Sequence, residues 1–392
     1  MRIAVVQPRS HSVNASRAAL LSECLKSRNT IQIINLFEKS NGKNLMLGNL
    51  KQLWVLVAGR YDAIYFIGIT WLTPQLLRLL TLGRPVIVYD AANVEAGVAQ
   101  TLSKSTIMIL IVSLLEALFV RGSDFVVVRG VTFQSYFRRR FKNLAATFFY
   151  VPDSIYMMGQ KPDETPANVQ SLKVSYVSTY VFIDVNGDSV PRGWELVDAV
   201  AVLRGRFHVE VRVDFLGSGV AAEALKARAS NAGVADLCTF SGYLPREVML
   251  KRLRTSDVGF MEDYDTLGYR YSIGSKVQEY MSLGLPVITG CSPEKLHLLE
   301  NQRLPNLLFC PPALNTSKNV EEYTDSLVRA LHYATLNRNA LVLAGHRNSE
   351  TARQTFEWDV VASMMEDVFR AVKQKLLAKR GQLLHEKPDT VV

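Results

Sequence analysis

Lys276, Glu279 and Tyr280 stand at i, i+3 and i+4 in the stretch Ser272-Ile-Gly-Ser-Lys-Val-Gln-Glu-Tyr-Met-Ser-Leu-Gly-Leu-Pro-Val-Ile-Thr289. On a helix that spacing gathers an ammonium, a carboxylate and a phenol on one face. Ser275-x-x-Gln278 has the form of a capping box, so the helix is expected to start at Lys276. The first N–H groups of such a helix, with its positive dipole end, form an anion site. A carboxylate one turn inside that end is placed to accept two ribose hydroxyls. Gly284 is expected to end the helix, and Pro286-Val-Ile to open a buried strand. The same letters also describe a surface helix carrying a Lys–Glu pair.

Two other stretches have chemical form. Gly217-Ser218-Gly219-Val-Ala-Ala222 fits the dinucleotide fingerprint GxGxxA, between an expected strand and an expected helix. The acidic residue that should end the next strand is missing, since Ser241 and Gly242 stand there, so a dehydrogenase is the weaker reading. Asp263-Tyr264-Asp265 could grip a divalent metal, but its place in a loop favours a solvated turn. Cys24, Cys238, Cys291 and Cys310 are scattered, with no CxxC, and the six histidines show no ligand spacing. Neither a disulfide framework nor a zinc site is indicated.

Charge is unevenly placed. Residues 1–150 hold 18 Lys/Arg and 7 Asp/Glu, a balance of +11, whereas the rest hold 27 and 29, a balance of −2. The first part is therefore expected to face something anionic. No nucleic-acid motif accompanies it, so no nucleic-acid partner is expected. An anionic membrane surface or a lipid-phosphate acceptor fits the asymmetry. The aromatic residues Phe133, Tyr136, Phe137 and Phe141 recur at helical spacing beside Arg138-Arg-Arg-Phe-Lys142. They read either as a helix lying on anionic lipid or as one packed into the first domain. The longest apolar run, 106–120, contains Glu116 and is too short to span a bilayer; a core helix is expected, with membrane contact as the second reading. Met1-Arg-Ile-Ala-Val-Val6 reads as a buried strand and not a signal peptide, so a reducing cytoplasmic setting is expected, including the inner face of a membrane.

Positioning these residues requires a particular scaffold. Short β-branched runs at 3–6, 31–36, 63–67, 85–89, 125–128 and 148–151 alternate with helical stretches near 16–28, 46–58, 73–82, 96–120 and 131–142. The alternation resumes with strands at 174–177, 209–216, 237–241, 258–261, 286–289 and 307–309, and helices near 192–204, 220–231, 246–254, 276–283, 293–301 and 319–336. Such α/β alternation implies parallel sheets covered by helices. A Pro-rich polar stretch at 160–168 reads as a linker. Two tandem Rossmann-like doubly wound domains facing a cleft are thus expected, over 1–165 and 170–356. A helix at 357–380, able to pack back on the first domain, and a disordered tail at 381–392 would follow. Ligands of such sheets bind beyond the carboxyl ends of the strands.

With these residues in view, the segment Lys276-x-x-Glu279-Tyr-Met-x-x-Gly284-x-Pro286-Val-Ile is similar to the nucleotide-sugar motif of retaining GT-B glycosyltransferases of family four, group 1. Further segments resemble that family in the same order. They are Asp90-Ala-Ala-Asn93-Val-Glu95, Ser123-Asp-Phe-Val-Val-Val128, Tyr150-Val-Pro-Asp153, Tyr176-Val-Ser-Thr179, Pro191-Arg192-Gly-Trp-Glu-Leu-Val, Phe215-Leu-Gly-Ser-Gly219 and Phe240-Ser-Gly-Tyr-Leu-Pro245. The resemblance spans nearly the whole chain. It implies donor contacts from Glu279 (to the ribose), Lys276, Ser275, Tyr280, Arg192, Gly217, Ser218 and Gly219. Asp90, Asn93 and Glu95 become the acceptor-side candidates. No catalytic base is implied, because the family's proposed route has the acceptor attack the face the diphosphate leaves. No metal and no cofactor are implied either. Three positions depart from the pattern: Tyr271 where a first glutamate is common, Thr179 where a basic residue is usual, and Ala92 where a histidine often stands.

The expected activity is sugar transfer from a nucleotide-diphosphate-sugar to a saccharide or lipid-linked acceptor, in glycan or cell-surface polysaccharide synthesis. Two alternatives remain: a nucleotide-sugar epimerase on the same fold, and a catalytically weak module that binds a partner.

Overall fold

The computed structural model describes residues 1–7, 13–25, 30–35, 53–70, 72–101, 105–142, 144, 146–155, 171–300, 314–316 and 318–381. The expected linker at 160–168, the strand at 307–309, Cys310, part of the 46–58 helix and the tail from 382 lie outside them. The chain divides into two compact units, Met1–Ser154 with Trp358–Val392, and Ile155–Glu357.

The first unit is built on six parallel strands: β1 (Arg2–Gln7), β2 (Thr30–Asn35), β3 (Ala63–Ile67), β4 (Val86–Ala91), β5 (Phe125–Val128) and β6 (Thr147–Tyr150), in the order β2-β1-β3-β4-β5-β6. β3, β4 and β5 are buried along their whole length. That explains their continuous apolar runs, since both faces of a parallel sheet are covered. The helix Trp358–Lys379 belongs to this unit. Its Val361, Met365, Val368, Phe369, Val372 and Leu376 recur at helical spacing and share one core with Ile3, Val5, Tyr65 and Val88.

Two sequence readings are decided here. Phe133, Phe137 and Phe141 are buried, with Phe137 against Phe148 of β6, so this aromatic stripe packs into the domain and is not a lipid face. The apolar helix Thr106–Gly122 goes the other way. Its buried residues are Glu116, Phe119, Val120 and Gly122, while Ile107, Leu110, Ile111 and Leu114 are exposed. It is not the core helix expected from its composition.

The second unit carries β7 (Leu172–Val177), β8 (Phe182–Val185), β9 (Asp188–Pro191), β10 (Val211–Leu216), β11 (Cys238–Gly242), β12 (Val258–Met261) and β13 (Val287–Thr289). Five of them form a sheet in the order β11-β10-β7-β12-β13, with every pair parallel. The chain moves to one side of β7 and then to the other, so a switch point opens beyond the carboxyl end of β7. β8 and β9 form a separate antiparallel hairpin. The sequence reading missed it, although Val185-Asn186-Gly187-Asp188 carries the signal. Asn186 and Gly187 both take positive φ, 55° and 91°, as a type I′ turn requires.

Candidate functional site

Four connections meet at the carboxyl edge of the second sheet. After β7 comes the loop through Ser178 and Tyr180, and after β10 the turn Gly217-Ser218-Gly219. These two lie back to back: Ser178 N–H donates to Leu216 O at 3.0 Å and Tyr180 N–H to Ser218 O at 3.1 Å. A Cβ on Gly217 would overlap Ser178 O, and one on Gly219 would overlap Tyr180 O. Both glycines are thus needed for backbone approach. Gly217 N–H is already bonded to Gly242 O, at 2.9 Å. Ser218 and Gly219 face solvent.

After β12 the chain enters the helix Ser275–Ser282. It begins one residue earlier than expected. Gly274, at φ 82°, is the N-cap, and no side chain bonds the first turn, so the Ser275–Gln278 capping box does not form. Gln278 is instead buried. An uncapped start leaves the leading N–H groups of the helix to solvent or to an anion. Ser275 is exposed beside them.

Glu279 sits one turn in. Lys276 Nζ lies 2.9 Å from its Oε2, and Arg246 Nη2 lies 3.6 Å from its Oε1. Arg246 opens the helix Arg246–Leu253 that follows β11. Sequence reasoning missed it. Its signal was position alone, a cation at the first residue of a helix on the carboxyl edge. Lys276 and Arg246 keep a third and a half of their side chains exposed (33% and 55%), so the pair can still meet an anion. Tyr280 shares the helix but not the site. It is fully buried, accepting from Val177 N–H at 3.1 Å and donating to Phe260 O at 3.2 Å. It ties the helix to the ends of β7 and β12, and is no direct contact for a ligand outside.

Arg192, at the foot of the hairpin, is brought near but is already engaged. Its Nε lies 3.2 Å from Glu262 Oε1, and its Nη2 donates to the Tyr269 hydroxyl at 2.7 Å. Behind it Glu195 is completely buried, with neither carboxylate oxygen bonded. Burial, and then the charge of Glu262, push its carboxyl up to about 8.

The Asp-x-Asp stretch resolves into two ion pairs. Asp263 is buried 3.0 Å from the equally buried Lys295, and burial raises its carboxyl to about 6 against the pull of Lys295. It is not the solvated side chain expected. Asp265 pairs with Arg270 at 2.7 Å. Among the described residues no group of three His, Cys, Asp or Glu could hold a metal ion.

In the first unit, Asp90 is not available as an acceptor contact. It is fully buried, receiving Arg17 Nε at 2.7 Å, Tyr65 OH at 2.8 Å and Arg129 Nε at 3.4 Å. Burial alone would raise its carboxyl, but Arg17 and Arg129 hold it below its usual value. Asn93 and Glu95 are half-buried. Glu95 starts the helix Glu95–Thr101, and its N–H donates to Glu116 Oε1 at 2.7 Å. Burial, reinforced by the Glu116 charge, lifts the Glu95 carboxyl to about 7.

Residues 194–340, less than half of the chain, match the family model for group 1 glycosyl transferases. Comparison with curated proteins gives no match. Solved structures match over nearly the full length. Sucrose-phosphate synthase from Thermosynechococcus elongatus superposes with a TM-score of 0.68 at 15% identity, covering 96% of this chain and 100% of that one. The Anabaena protein HepE, solved in complex with UDP, gives 0.65 at 13%, covering 95% and 100%. The lipopolysaccharide outer core galactosyltransferase WaaB, in its apo form, gives 0.64 at 11%, covering 95% and 99%. At such identities the likeness is one of fold, and the fold is the α/β, parallel-sheet GT-B type.

Proposed function

We propose that the chain is a glycosyltransferase that binds a nucleotide-diphosphate-sugar at the carboxyl edge of its second sheet and transfers the sugar, with retention, to a saccharide or lipid-linked acceptor. The observation that carries this reading is Glu279. It is one turn inside an uncapped helix start, between two part-exposed cations, Lys276 at 2.9 Å and Arg246 at 3.6 Å. A ribose diol donates to that carboxylate, while the diphosphate lies toward the helix N-terminus and the exposed turn at Ser218 and Gly219. The match of residues 194–340 to group 1 glycosyl transferases supports it, because that segment contains every one of these residues.

The chemical demand is on the leaving group. As the glycosidic bond to the diphosphate breaks, negative charge grows on the departing oxygen. N–H groups and cations already in place meet that charge without reorganising. Lys276 and Arg246 supply the cations, so the reading requires no metal. Arg192 acts indirectly by holding Glu262 and Tyr269 in place. On the acceptor side the candidates are Asn93 and Glu95, whose carboxyl near 7 can exchange a proton at neutral pH. We place the reaction in glycan or cell-surface polysaccharide synthesis at the inner face of a membrane.

The test is a panel of nucleotide sugars followed by assay of nucleotide diphosphate release and of the sugar product. Release with transfer, lost in Glu279→Ala, is the expected result. Release with an epimerised sugar would replace transfer by epimerisation. Absence of binding to any nucleoside diphosphate in a thermal-shift screen would overturn the reading.

A further inference from the structure

The Thr106–Gly122 helix carries its apolar residues on the wrong side for a core element. Ile107, Leu110, Ile111 and Leu114 follow 3, 1 and 3 residues apart and so form one stripe. Ile107, Leu110 and Leu114, with Leu79 and Leu82 from the neighbouring helix Pro74–Leu80 and the turn after it, are 61–80% exposed. The two helices are joined by Gln75 Nε2 donating to Leu118 O at 2.6 Å and Arg78 Nε donating to Gly122 O at 3.0 Å. Scattered exposed leucines are ordinary, but an exposed apolar stripe at helical spacing on one helix, with two more exposed leucines on the helix joined to it, marks a contact surface.

Within the stretch that carries it, the exposed charges are of one sign. Residues 74–142 contain four carboxylates. Asp90, Glu116 and Asp124 are buried, and Glu95 is half-buried. Glu116, in the middle of the helix, turns inward to Arg140 at 2.5 Å. Over the same stretch Arg84, Arg121, Arg138, Arg139 and Lys142 are exposed. Arg140 also donates to Ser113 at 2.8 Å, and Arg121 lies 6.0 Å from the Phe141 ring, which keeps the basic end of the Val131–Arg140 helix beside this one.

We propose that this side of the first unit docks on an anionic lipid bilayer, with the Ile107–Leu114 stripe entering the boundary between headgroups and acyl chains and the surrounding arginines on lipid phosphates. Among the described residues no helix is long and apolar enough to cross a membrane, so the helix lies along the surface. A second copy of the chain is the poorer occupant. In a two-fold contact the same patch faces itself, and residues 74–142, which expose cations but, among the described residues, no carboxylate, would meet their own charge. An anionic bilayer satisfies the apolar stripe and the cations together. The proposal stands apart from the transfer chemistry, because lipid binding is measured without donor or acceptor.

The experiment is flotation of the full chain with vesicles of phosphatidylcholine alone and with added phosphatidylglycerol, at low and high salt. The chain is expected to float with the anionic vesicles, less with the neutral ones, and less again at high salt. Leu110→Glu/Leu114→Glu should lower vesicle binding more than about tenfold, since two leucines lose their burial. Both positions are exposed, so the melting temperature should stay near that of the parent. Arg138→Gln/Arg139→Gln should weaken binding by several-fold and flatten its salt dependence. Equal flotation on both vesicle types, or none on either, overturns the proposal. So does a parent chain that is a dimer without vesicles and becomes a monomer in the Leu110→Glu/Leu114→Glu variant.

Discussion

At the carboxyl edge of the first sheet, Asp90 lies buried under Arg17, Arg129 and Tyr65. Arg17 also donates to the carbonyls of Val151 and Pro152, and Arg129 reaches Asp153 at 3.0 Å. At the carboxyl edge of the second sheet, Glu279 keeps two cations that remain open to solvent. Both edges satisfy the rule that places ligands beyond strand ends. They differ in what the charged groups have left to offer. In the first unit the arginines are spent on one another's partners and lock the helix Val13–Leu25, β4, the end of β5 and the segment after β6 together. In the second, the cations sit at helix starts and retain bonding capacity. Topology selects the place, while residual exposure and unspent charge separate a structural knot from a binding site.

Paired substitutions break that contrast most directly. Asp90→Asn leaves two buried guanidiniums facing a neutral amide. It is predicted to destabilise the first unit by about 3–5 kcal/mol, the usual cost of breaking a buried ion network. Nucleotide binding at the second unit should persist as long as that unit stays folded. Thermal and denaturant unfolding read the first effect, and a nucleoside diphosphate titration the second. An Asp90→Asn chain as stable as the parent would mean the knot is not structural.

Glu279→Ala should show the reverse pattern. Its two ion pairs are with part-exposed cations and contribute roughly 0–1 kcal/mol, so melting should move little. A lost hydrogen bond to a charged group costs about 1.5–3 kcal/mol in binding, which is roughly a 10- to 150-fold weaker nucleotide complex. A titration in which the Ala chain binds nucleoside diphosphates like the parent removes Glu279 from the site.

The same contrast explains what was readable in the sequence. Strands β3, β5 and β12 occupy the stretches expected of them, because continuous apolar runs between turn residues have few other uses. Lys276 and Glu279 were visible from spacing, since a helical repeat fixes which side chains meet. What stayed hidden depended on partners far along the chain. Nothing local to Asp90 tells that Arg17, 73 residues away, will close on it. Nothing local to Arg192 tells that Glu262 will draw it inward. The capping box failed for a different reason. Gly274 took the cap conformation first, and the Ser275 side chain was left outside. The Thr106–Gly122 helix shows the limit of composition, which registers that a helix is apolar but not which way its apolar side faces.

The smallest predicted effect compares the two buried carboxylates through pH. Asp90 is held below its usual value by two arginines, so its contribution to stability is present above the unfolded value and is lost as pH falls through the folded one. Glu195 is the opposite case. Unpartnered and fully buried, with Glu262 nearby, it has a folded value of about 8 against 4.5 unfolded. Between those two values the folded chain keeps a proton that the unfolded chain has released. Glu195 therefore contributes most below pH 4.5, and stability falls as pH rises toward about 8. Glu195→Gln keeps the shape of the neutral acid and cannot ionise, so its stability should lose that decline. We predict that it gains about 1–2 kcal/mol on the parent between pH 5 and about pH 6.5, measured by denaturant unfolding of the second unit's transition. Parallel curves for the two chains across that range would show that Glu195 finds a partner for its charge. The second unit would then handle buried carboxylates as the first does.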